Sequence, residues 1–188
     1  MGISPPRPVM TPDESAAWFE NDHYVVAVPW RDDQPSLPNN GPLAEKRLES
    51  TERKLTKNPE IAESCQKVIE EYLEKKYIRR VPLDEPSPTS EWLLPHFPVV
   101  RPGRSTTKVR IVFDASATYQ RRRLNTETLP GPKLQSNISD ILVRFRKELV
   151  ALAGDVSQMY HQLVLQVEDR PFHRFLWRDL DPSRQPET

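Results

Sequence analysis

The 188 residues carry 27 Lys and Arg against 27 Asp and Glu, so the formal charge is zero and no global field directs the chain to nucleic acid or to a membrane surface. The one cysteine, Cys65, excludes an internal disulfide and suits a reducing, intracellular setting. No apolar run approaches the roughly 20 residues of a membrane span, and "MGISPPRPVM" has neither the apolar core of a signal peptide nor the Ser or Thr of a myristoylation signal.

Twenty prolines stand against five glycines, many of them between patterned segments, which points to extended connectors. Residues 1–22 carry prolines without periodicity and are read as a loose tail. "HYVVAVPW", 23–30, is β-branched and aromatic and predicts a short strand. A helix is expected over 42–57, with a weak stripe of Leu43, Leu48, Thr51 and Leu55. The next is clearer: Asn58 can cap, Pro59 takes the first helical position, Glu60 favours the N-terminus, and Ile61, Cys65, Val68, Ile69, Tyr72 and Leu73 share one face. The charged faces of both helices read as solvated surface.

"FPVVR" and "KVRIVFD" flank the turn-rich "PGRSTT" and predict a hairpin within 97–114. In its second strand Val109, Ile111 and Phe113 point one way, and Arg110, Val112 and Asp114 the other. After "LPGP", the spacing of Leu134, Ile138, Ile141, Leu142, Phe145 and Leu149 predicts another helix. Strands are then expected over 150–155 and 162–167, with a third over about 172–177.

Two features carry chemistry. Residues 101–125 hold Arg101, Arg104, Lys108, Arg110, Arg121, Arg122 and Arg123 with Asp114 as the one acid, a concentration of positive charge that suits phosphate contact or forms a solvated basic loop. Asp155 closes an apolar stretch. A carboxylate there either helps hold a hard cation such as Mg²⁺ or caps the turn 156–160. The four histidines and one cysteine have no zinc spacing, and His161 and His173 read as packing or surface residues. "FDAS", 113–116, lacks the glycine of an aspartic-protease loop, and no nucleotide-binding glycine motif occurs.

In order and spacing, "YVVAVPWRDDQPSLPNN", "KRLESTERKLTKNPE", "EEYLEKKYIRRVP", "EWLLPHFPVVRPGRSTTKVRIVFDAS", "LPGP" and "GDVSQMYHQLVLQVEDRPFHRFLW" resemble the front half of a reverse transcriptase of the BEL/Pao class of LTR retrotransposons, from about residue 21 to the C-terminus. The resemblance implies an α+β, partial right-hand polymerase: a tail (1–22), a pre-polymerase segment with two helices (23–82), a fingers-like region (83–149) and the first strands of a ferredoxin-like palm (150–188). By this correspondence Asp155 is the first catalytic acid and a Mg²⁺ ligand, and Val156 reaches a metal through its carbonyl. Tyr160 lies under the sugar of the incoming deoxynucleotide, and Arg110 contacts its base and phosphate. Arg101 or Arg104 stands for a fingers lysine near the triphosphate, and Gln162 matches a position without an assigned role. The implied partners are an RNA or DNA template–primer and deoxynucleotides, without a membrane, in the cytoplasm within a virus-like particle or in the nucleus.

The Tyr-x-Asp-Asp hairpin and the glycine-containing helix of such polymerases do not occur in the sequence. The resemblance therefore implies an incomplete metal site, open apolar faces on 150–155 and 162–167, and Glu168 and Asp169 on a surface turn that cannot substitute for the missing acids. A chain of this kind is expected to be inactive alone. The other reading is a non-catalytic or co-opted remnant that binds nucleic acid or a protein partner.

Overall fold

The computed structural model describes residues 17–21, 23–32, 35–82, 84–85, 90–100, 109–132, 135–147 and 149–188. These form a mixed α+β arrangement with two small sheets. In the first, β1 (Ala17–Glu20) and β2 (His23–Val26) are antiparallel around a turn in which Asn21 takes a positive φ of 49°. β2 also pairs in parallel with β5 (Leu163–Leu165), in the register Tyr24↔Leu163, Val25↔Val164, Val26↔Leu165. The second sheet is the antiparallel hairpin of β3 (His96–Val100) and β4 (Val109–Phe113).

Two helices precede the hairpin and pack on it. In α1 (Gly41–Leu55), Ala44, Leu48 and Leu55 are buried, and so is the polar edge of Thr51 and Glu52. In α2 (Pro59–Glu74), Pro59 occupies the first position, where no N–H is needed, and Cys65 and Ile69 bury against Val109, Ile111 and Trp177. Asn58 does not cap α2 with its side chain. Its amide instead donates to Lys54 O at 3.0 Å and closes the end of α1, while its own carbonyl accepts from Ile61 and Ala62. The short α3 (Leu124–Glu127) and α4 (Ile138–Phe145) follow. Asn137 caps α4 through a long 3.4 Å contact from Ser139 N, and the helix ends at Phe145 with Arg146 as its C-cap, short of Leu149.

The core is assembled from far-separated segments. Leu37, Trp92, Leu94, Leu124 and Phe172 form one cluster, and Ala44, Leu48, Leu93 and Leu176 another. Two buried side chains stand in for backbone partners. Asn40 accepts from Leu93 N at 2.7 Å and donates to Leu93 O at 2.8 Å, imitating a neighbouring strand. Asp169, 2% exposed, accepts from Val28 N at 2.7 Å and from the Trp30 indole at 2.6 Å, which fixes the segment after β2. A buried polar group is tolerated only when it is satisfied in this way.

Several expectations need correction. Residues 151–156 form no strand: Ala151, Ala153 and Gly154 offer little side chain to a pleated surface, and β5 takes its partner from β2. The region 172–177 is not a regular strand either. A 3₁₀ turn, Val167–His173, contains Pro171, and only single bridges follow, Leu93↔Arg174 and Trp177↔Glu187. Of the expected tail, Ala17–Glu20 is strand β1, and residues 1–16 and 22 lie outside the described residues. Asp169 is interior, not on a surface turn.

Candidate nucleic-acid interface

Cross-strand partners in an antiparallel pair share a face, so Phe97↔Val112 and Val99↔Arg110 together define the outer face of the β3–β4 hairpin. The alternation expected for β4 is present: Val109 and Ile111 are buried against α2, and Arg110 and Val112 are exposed. Arg110 is thus held on a short, well-packed strand with its guanidinium toward solvent.

The turn that carries Tyr160 is tied to the C-terminal end of α2. Gln158 adopts the left-handed conformation, φ 52° and ψ 36°. Its side-chain oxygen accepts from Tyr77 Oη at 2.6 Å and from Lys75 Nζ at 3.3 Å, and its amide donates to Glu71 at 3.4 Å. Gln162 donates to Tyr77 Oη at 3.4 Å. His161 stacks on Tyr77, with ring centroids 4.9 Å apart and planes 29° apart, and lies 4.9 Å from the Tyr72 ring. The 3₁₀ turn Met159–Gln162 is anchored by its polar residues, and Tyr160 is left 80% exposed.

Tyr72 joins this turn to the hairpin. Burial, then Glu71, pushes its phenol pKa up, and the Arg110 and Lys75 charges act against that rise. The Arg110 charge therefore reaches the ring that touches His161, one residue beyond Tyr160. His161 itself is held below the usual imidazole range by burial first and Lys75 second, with Glu71 opposing. The strand that carries Arg110 and the turn that carries Tyr160 both border α2.

The remaining expected residues fare differently. Arg101, Arg104 and Lys108 lie outside the described residues. Tyr119 and Arg122 pair across a two-residue turn, Gln120 and Arg121, both at positive φ (46° and 65°). Arg122 is paired to the buried Glu127 at 3.1 Å, and Arg123 Nε donates to Thr118 Oγ1 at 2.7 Å. Arg121 alone of the three projects from the tip without such a contact among the described residues. Asp114 spends one carboxylate oxygen on its own loop, accepting from Ser116 N at 3.0 Å and Ser116 Oγ at 2.6 Å.

Asp155 and Val156 are exposed in the irregular stretch, so Asp155 does not close a strand. Among the described residues no three His, Cys, Asp or Glu side chains are grouped so that they could hold a metal ion. A two-metal centre requires carboxylates from more than one place around the ions. The residues described do not fit the Mg²⁺ site that the resemblance implies. Also among the described residues, no helix is long and apolar enough to cross a membrane.

Sequence reasoning missed Gln158, Tyr77 and Asp169, whose roles depend on partners about 80 to 140 positions away (|i−j| of 81, 87 and 141). No local pattern signals them. Compared with known proteins, the chain matches no family model, no curated protein and no solved structure.

Proposed function

We propose that the chain is the front portion of a reverse transcriptase, pre-polymerase segment, fingers and the beginning of a palm, and that its own chemistry is contact with template–primer nucleic acid, not nucleotide transfer. One observation carries this reading. The hairpin that carries Arg110 on its outer face packs on Cys65 and Ile69 of α2, and the turn bearing Tyr160 is held at Glu71 and Tyr72 of the same helix. Arg110 and Tyr160 are two of the side chains that the resemblance assigns to the incoming nucleotide; Arg101 and Arg104 lie outside the described residues. Arg110 supplies a planar, permanently charged fork suited to phosphate and to a base face, and Tyr160 supplies an exposed ring. The ill-fitting metal site supports the non-catalytic part of the proposal.

The test is a fluorescence anisotropy titration of a labelled RNA–DNA template–primer. Weak binding that falls with salt is expected, because such binding rests on counterion release. Arg110→Ala is expected to weaken it at least threefold. Arg122→Ala, which removes a charge already paired to Glu127, is expected to leave it within twofold. Equal binding by Arg110→Ala and the unaltered chain would sink the reading.

A protein-binding role is the second reading, and the exposed apolar side chains of α4 favour it: Ile138, Ile141, Leu142 and Phe145. Leu142→Glu with Phe145→Glu separates the two. The nucleic-acid reading expects template–primer binding reduced no more than the two added charges account for, and the second reading stands only if the unaltered chain binds no template–primer while the two substitutions abolish its self-association or capture of a protein partner.

A further inference from the structure

Helix α1 places Arg47, Ser50, Thr51 and Lys54 at spacings of three, four and seven, along one face. That face does not look into open solvent. It forms one wall of a cleft of about 180 Å³, whose other wall is the edge of β3 and the residues beside it: Pro95, His96, Phe97, Pro98 and Asp114. The cleft owes its shape to local bonding. Thr51 Oγ1 donates to His96 O at 3.2 Å and clamps helix to strand, and Asp114 N donates to Pro95 O at 2.7 Å.

Arg47 and Lys54 line the cleft from positions two turns apart, roughly 10 Å of helix rise. Both are exposed, and neither has an ion-pair or hydrogen-bond partner for its side-chain nitrogens among the described residues. Lys46 on the same helix is likewise exposed and unpaired among the described residues, so what sets Arg47 and Lys54 apart is their place on the cleft wall, whereas Arg178 is committed to Glu52. His96 also lines the cleft, though its 4%-exposed ring packs among Phe113, Phe175 and Trp177, where Nε2 has no hydrogen-bond partner. His96 is neutral near pH 7, so the cleft carries a net single positive charge, with two cations against Asp114. The second Asp114 oxygen has no partner among the described residues and can accept from a hydroxyl or amino group beside a bound anion.

We propose that the α1–β3 cleft binds the sugar–phosphate of a nucleotide, the phosphate on Arg47 and Lys54 and a neighbouring sugar or base donor on Asp114. Its source is single-stranded nucleic acid. The inference rests on the nucleic-acid reading above, but on other residues. A charged pair without protein partners, a walled cleft and an apolar side formed by Pro95 and Pro98 suit an anion attached to an organic body better than a bare ion.

The experiment is an anisotropy titration of a 5′-labelled 12-nucleotide oligouridylate with the full chain at several salt concentrations. Uridine monophosphate and inorganic phosphate serve as competitors. Arg47→Ala with Lys54→Ala is expected to weaken binding about tenfold at low salt and to lower the salt slope by about 1.4, at about 0.7 per phosphate contact for single strands. Lys46→Ala with Arg53→Ala removes the same charge from positions on α1 that do not line the cleft, and is expected to change binding less than twofold. Thermal melts of both variants confirm the fold. Loss of binding in both double variants would overturn the site in favour of general attraction, and loss in neither would overturn it outright. Competition by uridine monophosphate equal, per phosphate, to that of the oligonucleotide would overturn the single strand as source. If Arg110→Ala weakens template–primer binding while Arg47→Ala with Lys54→Ala binds normally, the cleft falls and the wider reading stands.

Discussion

Glu52 on α1 and Arg178 near the C-terminus form a two-point ion pair across the fold, with Arg178 Nε donating to one carboxylate oxygen at 2.9 Å and a second nitrogen donating to the other. Their side chains are 5% and 12% exposed. The carboxylate lifts the Arg178 pKa, with burial opposing. The contact fixes the last segment, with Leu176 and Trp177, against α1 and α2. Removing one partner of an enclosed pair leaves the other buried and uncompensated, at a cost of about 3–5 kcal/mol. Arg178 NH1 also reaches Arg184 O at the surface, which gives it an exit to solvent. Glu52→Ala is therefore expected to destabilise by about 2 kcal/mol, below that range. Urea unfolding checks this, and a loss below about 0.5 kcal/mol, the scale of an exposed pair, would show that the contact is no more than a surface one.

His96 predicts an acid limb in the stability profile. Burial lowers its pKa to about 4, and the ring sits among Phe113, Phe175 and Trp177 at 5.4–6.0 Å between centroids. The unfolded chain binds a proton near pH 6.5 that the folded chain refuses until about 4. Stability is thus fully present above pH 6.5 and declines as pH falls through that window. The group's share is at most roughly 3.5 kcal/mol, at about 1.4 kcal/mol per pH unit over the window from 6.5 to about 4. His96→Phe is expected to flatten this limb in unfolding curves taken at pH 7, 6, 5 and 4. His161 and His173, both lowered by burial, retain a smaller slope. An unchanged limb in the variant would assign the acid sensitivity to carboxylates.

The Gln120–Arg121 turn stores strain. Both residues have positive φ, the pattern of a two-residue hairpin turn that favours Asn-Gly. Arg121→Gly relieves the side chain's conflict at φ 65° but loosens the unfolded chain. Relief dominates at a left-handed position, and a gain of about 0.5–1 kcal/mol is expected. A rise of a few degrees in melting temperature would agree, and a fall would mean that the Arg121 side chain has a stabilising role.

These cases also mark what the sequence made legible. The alternation in "KVRIVFD" and the stripe behind Pro59 specify β4 and α2, because each pattern is local and its buried face is contiguous. The exposed Arg110 follows from the same alternation. The parallel pairing of β2 with β5 is a different matter, since strands of four and three residues far apart in sequence carry no register signal of their own. Asn40 and Asp169 act as substitutes for backbone, which no periodicity announces. At 150–155 the apolar letters suggested a strand, but two alanines and a glycine bring little to bury, so the carboxylate read as its end lies in exposed irregular chain. Asp155 can be matched to a motif without its surroundings being those of a metal site.

That mismatch sets the last prediction. Asp155 is exposed, and among the described residues no acids group around it to hold an ion. A lone solvated carboxylate binds Mg²⁺ poorly, since the ion gives up its waters reluctantly and requires several fixed oxygens. Millimolar Mg²⁺ is expected to leave the melting temperature unchanged beyond the general effect of ionic strength, matched with Na⁺. Asp155→Asn is expected to melt with the unaltered chain to within about 0.5 kcal/mol, as befits an exposed side chain without a packed role. Purified chain incubated with a primed RNA template, deoxynucleotides and Mg²⁺ or Mn²⁺ is expected to extend no primer, because two-metal transfer needs ions about 3.5–4 Å apart held by more than one acid. A Mg²⁺-dependent shift abolished by Asp155→Asn, or primer extension that depends on Asp155, would show that the exposed carboxylate gathers partners on binding and that the non-catalytic reading is wrong.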